Sequence, residues 1–239
     1  MKTTKFIIAI LFFVTAVAAN AQLKVGFRVG GNISNFIAEV IKVNNKFGLQ
    51  GGITAEYMFS PKLGIQTAFL YSEKGVKGAY IHHEGTLAPN GKYDLTLFII
   101  NKFGYLEFPL HLVYKVPIAA DSRISFSVGP YLAYGVSGAF LVEDKLVFSG
   151  EITPDEREKI ENMTNNLKKN HEESVQNVGI FSNNMCSPFD FGAGVAIGYE
   201  VHRFEAKLGC DIGIINIERD KERQPIRNRN IYISLGAKF

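Results

Sequence analysis

Residues 123–138 read Arg-Ile-Ser-Phe-Ser-Val-Gly-Pro-Tyr-Leu-Ala-Tyr-Gly-Val-Ser-Gly, so that Ile124, Phe126, Val128, Leu132, Tyr134 and Val136 alternate with Ser125, Ser127, Gly129, Ala133, Gly135 and Ser137. Side chains of a β-strand point to opposite faces with a period of two, so a run this long separates two different environments. One face is oily; the other is small or polar. The same alternation recurs over residues 24–36, 47–59, 62–74, 102–116, 188–200, 203–216 and 230–239, which predicts eight strands in all.

The connections have a rhythm of their own. Short turns are expected at 60–61, 117–121 and 201–202, and long loops at 37–46, 75–101, 139–187 and 217–229. In an up-and-down meander successive connections fall at opposite ends, so all the short turns share one end with both termini. Short turns on the periplasmic side and long loops outside are the asymmetry of bacterial outer-membrane barrels. The expected fold is therefore all-β: an eight-stranded antiparallel up-and-down transmembrane β-barrel with long extracellular loops, one loop carrying a short helix.

A soluble barrel also alternates, with its apolar face inside. The composition of the polar face separates the two cases, because it contains Gly26, Gly30, Gly52, Gly129, Gly135, Gly194, Gly198 and Gly209. Glycine packs nothing on a solvent-facing strand, but in a narrow lumen it leaves room for a few large side chains. The complementary set, with Leu106, Phe108, Leu110, Leu112 and Tyr114, then faces lipid. Tyr57, Phe59, Tyr114, Tyr199, Phe204 and Phe239 are expected at the short-turn interface, and Phe36, Phe47, Tyr71, Phe103 and Phe189 at the other. Aromatic girdles at both interfaces suit a membrane barrel. The last strand ends on Phe239, like the C-terminal signal by which such barrels are recognised for assembly.

Residues 1–21 read as a secretory signal: Lys2 and Lys5, an apolar stretch from Phe6 to Ala19, then Ala19-Asn20-Ala21, with cleavage expected before Gln22. Residues 22–239 form the barrel domain, and a helix near 154–169 is expected inside the 139–187 loop, opened by Thr153-Pro154-Asp155-Glu156 as a capping box. Losing Lys2 and Lys5 lowers the formal charge of +3 to a value near neutrality, so bulk charge gives no reason to expect nucleic acid. Past the signal no apolar run is long enough for a transmembrane helix. Cys186 and Cys210 are expected as free thiols, because a hairpin over 188–216 sets Cys210 opposite about Ala193, too far along the strand from Cys186 for a disulfide.

The segments KVGFRVGGNISNF (24–36), YLEFP (105–109), VGPYL (128–132) and FDFGAG (189–194) resemble the PorT-like outer-membrane β-barrel family of Bacteroidetes. Residues 63–75 read like that family's third strand, and the likeness touches nearly every strand and none of the long loops. The resemblance implies an eight-stranded outer-membrane barrel. The family's named member belongs to a type IX protein secretion system, while many look-alikes have no assigned role.

On the inward parity lie Arg28, Glu56, Glu107, His111, Lys115, Asp190, Glu205, Lys207 and Asp211. Charges in a narrow lumen are paired or wet, so they are expected to form a network that fills the barrel, with an Arg28–Glu56 salt bridge as its first pair. The competing reading is an ion or proton path. No catalytic set, metal site or cofactor is expected; His82-His83-Glu84 is read as a solvated loop. Arg219, Lys221, Arg223, Arg227 and Arg229 form a basic cluster on the external side, a candidate contact for anionic glycan or lipopolysaccharide phosphate.

Together these readings give a non-enzymatic barrel with a filled lumen, located in the outer membrane after signal cleavage and acting as a surface or secretion-associated scaffold. Its expected partners are outer-membrane lipid, lipopolysaccharide, the barrel assembly machinery and proteins of a secretion or surface complex. The alternatives are a small-solute channel and a soluble exported ligand-binding barrel.

Overall fold

The computed structural model describes residues 23–37, 44–87, 90–176, 181, 186–219 and 225–239. The signal segment and its cleavage point lie outside them. Among the described residues there are eight strands, β1 (Leu23–Ile37), β2 (Asn44–Met58), β3 (Leu63–Leu87), β4 (Gly91–Ala119), β5 (Ser122–Ser149), β6 (Phe189–Val201), β7 (Phe204–Gly213) and β8 (Arg227–Lys238), and one helix, α1 (Pro154–Gln176). Each strand pairs antiparallel with its successor, and β8 returns to β1, so the sheet closes without a free edge around the barrel.

Burial follows the two parities. Leu235 on the outward face is 64% exposed, whereas Lys115 on the inward face is fully buried. Apolar residues exposed outside and charges buried inside invert the rule of soluble proteins, and a lipid solvent is what makes the inversion stable. Along β4 the outward column Leu106, Phe108, Leu110, Leu112 and Tyr114 is apolar throughout, partly buried at Leu106 and about half exposed from Phe108 to Tyr114. Its nine residues match the length a tilted strand needs to cross the hydrocarbon core.

Strands β3, β4 and β5 outrun the barrel. β3 pairs with β2 only as far as Lys77, and β5 pairs with β6 only from Tyr134 downward, yet the β3–β4 ladder continues to Leu87–Gly91 and the β4–β5 ladder to Lys92–Ser149. The segment 75–101, read from sequence as a loop, is thus mostly a hairpin, and the first part of the 139–187 loop is a continuation of β5. The upper parts of these three strands form a blade outside the membrane. Helix α1 reaches Gln176, past the expected end at 169, and lies against the blade: Leu95, Leu97 and Val142 are buried beneath Met163 and Leu167, with Tyr93 and Leu146 beside them. Each such side chain, once fully buried, contributes about 1.5–3 kcal/mol. The helix opens on the expected capping box, in which Glu156 N donates to Thr153 Oγ1 at 3.3 Å and Thr153 N donates to the Glu156 carboxylate at 3.1 Å.

Two register shifts explain why the blade escaped the alternation. The β4–β5 ladder passes from Gly104 opposite Ser137 to Tyr105 opposite Gly135, leaving Val136 unpaired, and the β3–β4 ladder shifts between Ala79 and Ile81. Each shift moves one strand by one residue and therefore exchanges its faces. Above the shifts, odd-numbered Tyr93, Leu95 and Leu97 share a face with even-numbered Leu146 and Phe148.

Candidate functional site

The lumen is filled in three levels. At the end with the long connections, Phe103, Tyr105, Tyr131 and Ala133 are buried together, with Phe36, Cys186 and Phe181 packed on them. The Phe181 ring lies 5.7 Å from Phe103 and 5.8 Å from Tyr105, within the range of favourable aromatic contact. Room for it comes from Gly135, where a Cβ would stand 2.3 Å from the Phe181 ring. Phe36 and Phe103, expected in the outer girdle, are thereby corrected. Both continue the inward parity of their strands, and their rings meet at 5.6 Å inside the mouth. Phe47, Tyr71 and Phe189 do face outward, as do Phe59, Tyr114, Tyr199, Phe204 and Phe239 at the other end.

Below the cap, Lys74 is completely buried, 2.7 Å from the Glu107 carboxylate and 4.0 Å from Asp190. Its ammonium also lies 4.6 Å from the centre of the Tyr131 ring, where the ring face is electronegative. Asp190 accepts from the Tyr131 hydroxyl at 3.1 Å and from Asn228 Nδ2 at 2.8 Å. Asn230 Nδ2 donates to Asp211 at 3.4 Å, and His111 is buried in the same lumen. Arg28 sits with its guanidinium 5.5 Å from the Tyr232 ring centre, and Gly209 makes room for that ring: a Cβ there would meet it at 2.3 Å.

Toward the short-turn end lies a cluster of alternating charge. Lys115 contacts Glu56 at 2.5 Å and Glu200 at 2.7 Å; Lys238 contacts Glu56 at 2.8 Å and Glu200 at 2.7 Å. Glu205 lies 3.3 Å from both Lys207 and Lys238, and Lys207 donates to Gln66. Among the described residues, six buried cations, Arg28, Lys46, Lys74, Lys115, Lys207 and Lys238, and six buried anions, Glu56, Glu107, Asp190, Glu200, Glu205 and Asp211, share the interior, and Lys46 takes its partner from partly exposed Glu73 at 3.9 Å. Buried charges are stable when opposite charges and polar groups nearby offset the loss of water.

The pairing differs from the expected one. Glu56 stands opposite Lys24 in the β1–β2 ladder, with Arg28 opposite Gly52, so Arg28 and Glu56 sit at different heights and Glu56 takes its partners from β4 and β8. Lys74, Glu200 and Lys238 were absent from the inward residues named in the sequence. All three follow from carrying the inward parity through to the ends of the segments 62–74, 188–200 and 230–239.

The remaining candidates lie elsewhere. Cys186 and Cys210 are not joined in a disulfide, and Cys210 pairs with Val195 rather than Ala193. Of the basic cluster, Lys221 and Arg223 lie outside the described residues; Arg227 and Arg229 are exposed on the outward parity of β8, directly above Ile231, Ile233 and Leu235. His82 and Glu84 lie in the blade hairpin rather than in a loop, and the hairpin brings Asp94 to them. The Glu84 carboxylate hydrogen-bonded to His82 raises the imidazole pKa above its usual value.

Among solved structures, the chain is similar to Ail, the attachment invasion locus protein of Yersinia pestis, in complex with the heparin analogue sucrose octasulfate, at 9% identity and a TM-score of 0.37 over 91% of this chain and 99% of that one. It is similar to Neisserial surface protein A at 11% identity and a TM-score of 0.38 over 91% and 97% of the two chains. The outer membrane protein OprG from Pseudomonas aeruginosa gives 11% identity and a TM-score of 0.38 over 91% and 96%. No curated protein matches the sequence. Residues 18–219 match the outer membrane protein beta-barrel domain family; with its closed antiparallel meander, apolar outer wall and charged interior, this chain belongs to that outer-membrane β-barrel family.

Proposed function

We propose that the protein is a non-conducting, non-enzymatic barrel that holds the blade and α1 at the cell surface as a scaffold for other molecules. The observation that carries this reading is the occupied lumen: an aromatic cap above two levels of buried charge, in which Lys74 of β3 approaches Asp190 of β6 and Lys115 of β4 meets Glu56 of β2 and Glu200 of β6. A barrel of eight strands has an interior just wide enough for its side chains to fill. Function then falls to the parts that leave the membrane, and the blade with its helix is the largest of them. The sequence resemblance to PorT-like barrels supports a place beside a protein secretion apparatus. Arg227 and Arg229, set at the upper end of an apolar outward column, support contact with the phosphates of outer-leaflet lipopolysaccharide.

Purified protein in planar lipid bilayers tests the closed lumen: the expected result is no stable unitary conductance, and reproducible single-channel steps overturn it in favour of a small-solute channel. For the secretion role, deletion of the gene is expected to impair export of proteins carrying the secretion system's C-terminal sorting domain. Normal export removes that role and leaves a surface scaffold.

A further inference from the structure

We propose that the blade carries a surface site for a first-row divalent transition cation such as Zn²⁺, formed by His82, Glu84 and Asp94. Suitable ligand atoms of the three residues lie within 4.8 Å of one another. His82 Nε2 is 2.8 Å from the Glu84 carboxylate, and His82 Nδ1 is 3.4 Å from that of Asp94.

The fold supplies this arrangement in a specific way. Glu84 and Asp94 are direct cross-strand partners, and like charges directly opposite each other destabilise a ladder unless a cation separates them. His82, two residues before Glu84, is on the same face, opposite Thr96. The register shift between Ala79 and Ile81 puts it there; with continuous pairing His82 would project toward the helix-covered face. Thr96 Oγ1 lies 3.2 Å from His82 Nδ1 and can stay there as an outer-shell contact, while Nε2, hydrogen-bonded to the Glu84 carboxylate at 2.8 Å, exchanges its proton for the metal.

The donor set also selects the cation. One imidazole nitrogen with two carboxylate oxygens suits zinc, nickel or copper, whereas calcium and magnesium prefer oxygen alone. Zinc holds such ligands at about 2.0–2.2 Å, so small rotations of exposed side chains bring all three into reach. The outer positions stay open to solvent. Behind the site, Leu95 and Leu97 pack under α1 and hold the strand that carries Asp94.

Isothermal titration of the tag-free, detergent-refolded full chain with Zn²⁺ tests the proposal, alongside His82→Ala, Asp94→Asn and, as a control on the opposite face, His83→Ala. The expected result is one zinc per chain, weakened at least about tenfold by the first two substitutions, unchanged by the third, and not displaced by millimolar Mg²⁺. Copper in place of zinc gives an electron paramagnetic resonance signal with coupling to one nitrogen, lost in His82→Ala. All three side chains are exposed, so an unchanged heat-dependent gel shift certifies folding of each variant. Absence of zinc binding overturns the site, as does binding that survives His82→Ala.

Discussion

The same two strands, β4 and β5, obey opposite rules at their two ends. In the wall, Leu110 is half exposed while His111 beside it is buried; in the blade, Leu95 is completely buried while Asp94 and Lys145 are exposed. Alternation alone does not distinguish the ends. The solvent does: hydrocarbon rewards an oily exterior and tolerates charge only in a closed interior, while water outside the membrane demands an apolar core, which α1 completes.

Substitutions that a single rule would treat alike separate the two regions. Removal of Glu56 leaves Lys115 and Lys238 short of a buried counter-charge, and Glu56→Ala is expected to cost about 3–5 kcal/mol in urea unfolding of the refolded protein. In the blade, Leu95→Ala empties the layer under α1 at about 2–5 kcal/mol, and limited proteolysis is expected to cut the helix while the barrel keeps its folded gel mobility. A charge on the wall, Leu110→Arg, meets lipid rather than water and is expected to cost about 2–4 kcal/mol near the midplane; tolerance of it would break the membrane orientation. At the small end, Thr153→Ala removes the cap of α1 for about 1 kcal/mol, read as faster proteolysis of the helix with no change in barrel unfolding.

The wall was legible because lipid constrains every second residue, and the closed meander follows from the rhythm of its connections. Much of the lumen was legible by the same parity; Lys74, Glu200 and Lys238 lie on it too, at or next to the ends of the segments 62–74, 188–200 and 230–239. The blade was hidden for a stronger reason. Its strands change faces at Val136 and between Ala79 and Ile81, so the alternation looks broken where the strand continues. His82 and Glu84 stood out in the sequence, but Asp94 joins them only through a hairpin register that no local motif encodes. Ion-pair choice was equally hidden: which cation meets Glu56 depends on the stagger of strands across the whole barrel.

That stagger bears on how the molecule is made. Glu56 is contributed by the second strand and its partner Lys238 by the last, 182 residues later. Until the final strand docks, a partly assembled wall presents this carboxylate without one of its two ammonium partners, and the open sheet keeps two unsatisfied margins. Both penalties vanish in the same event, the meeting of β8 with β1. Closure is therefore the cooperative step of assembly, and chains truncated before Lys238 are expected to stall as a class with open sheets rather than form smaller rings.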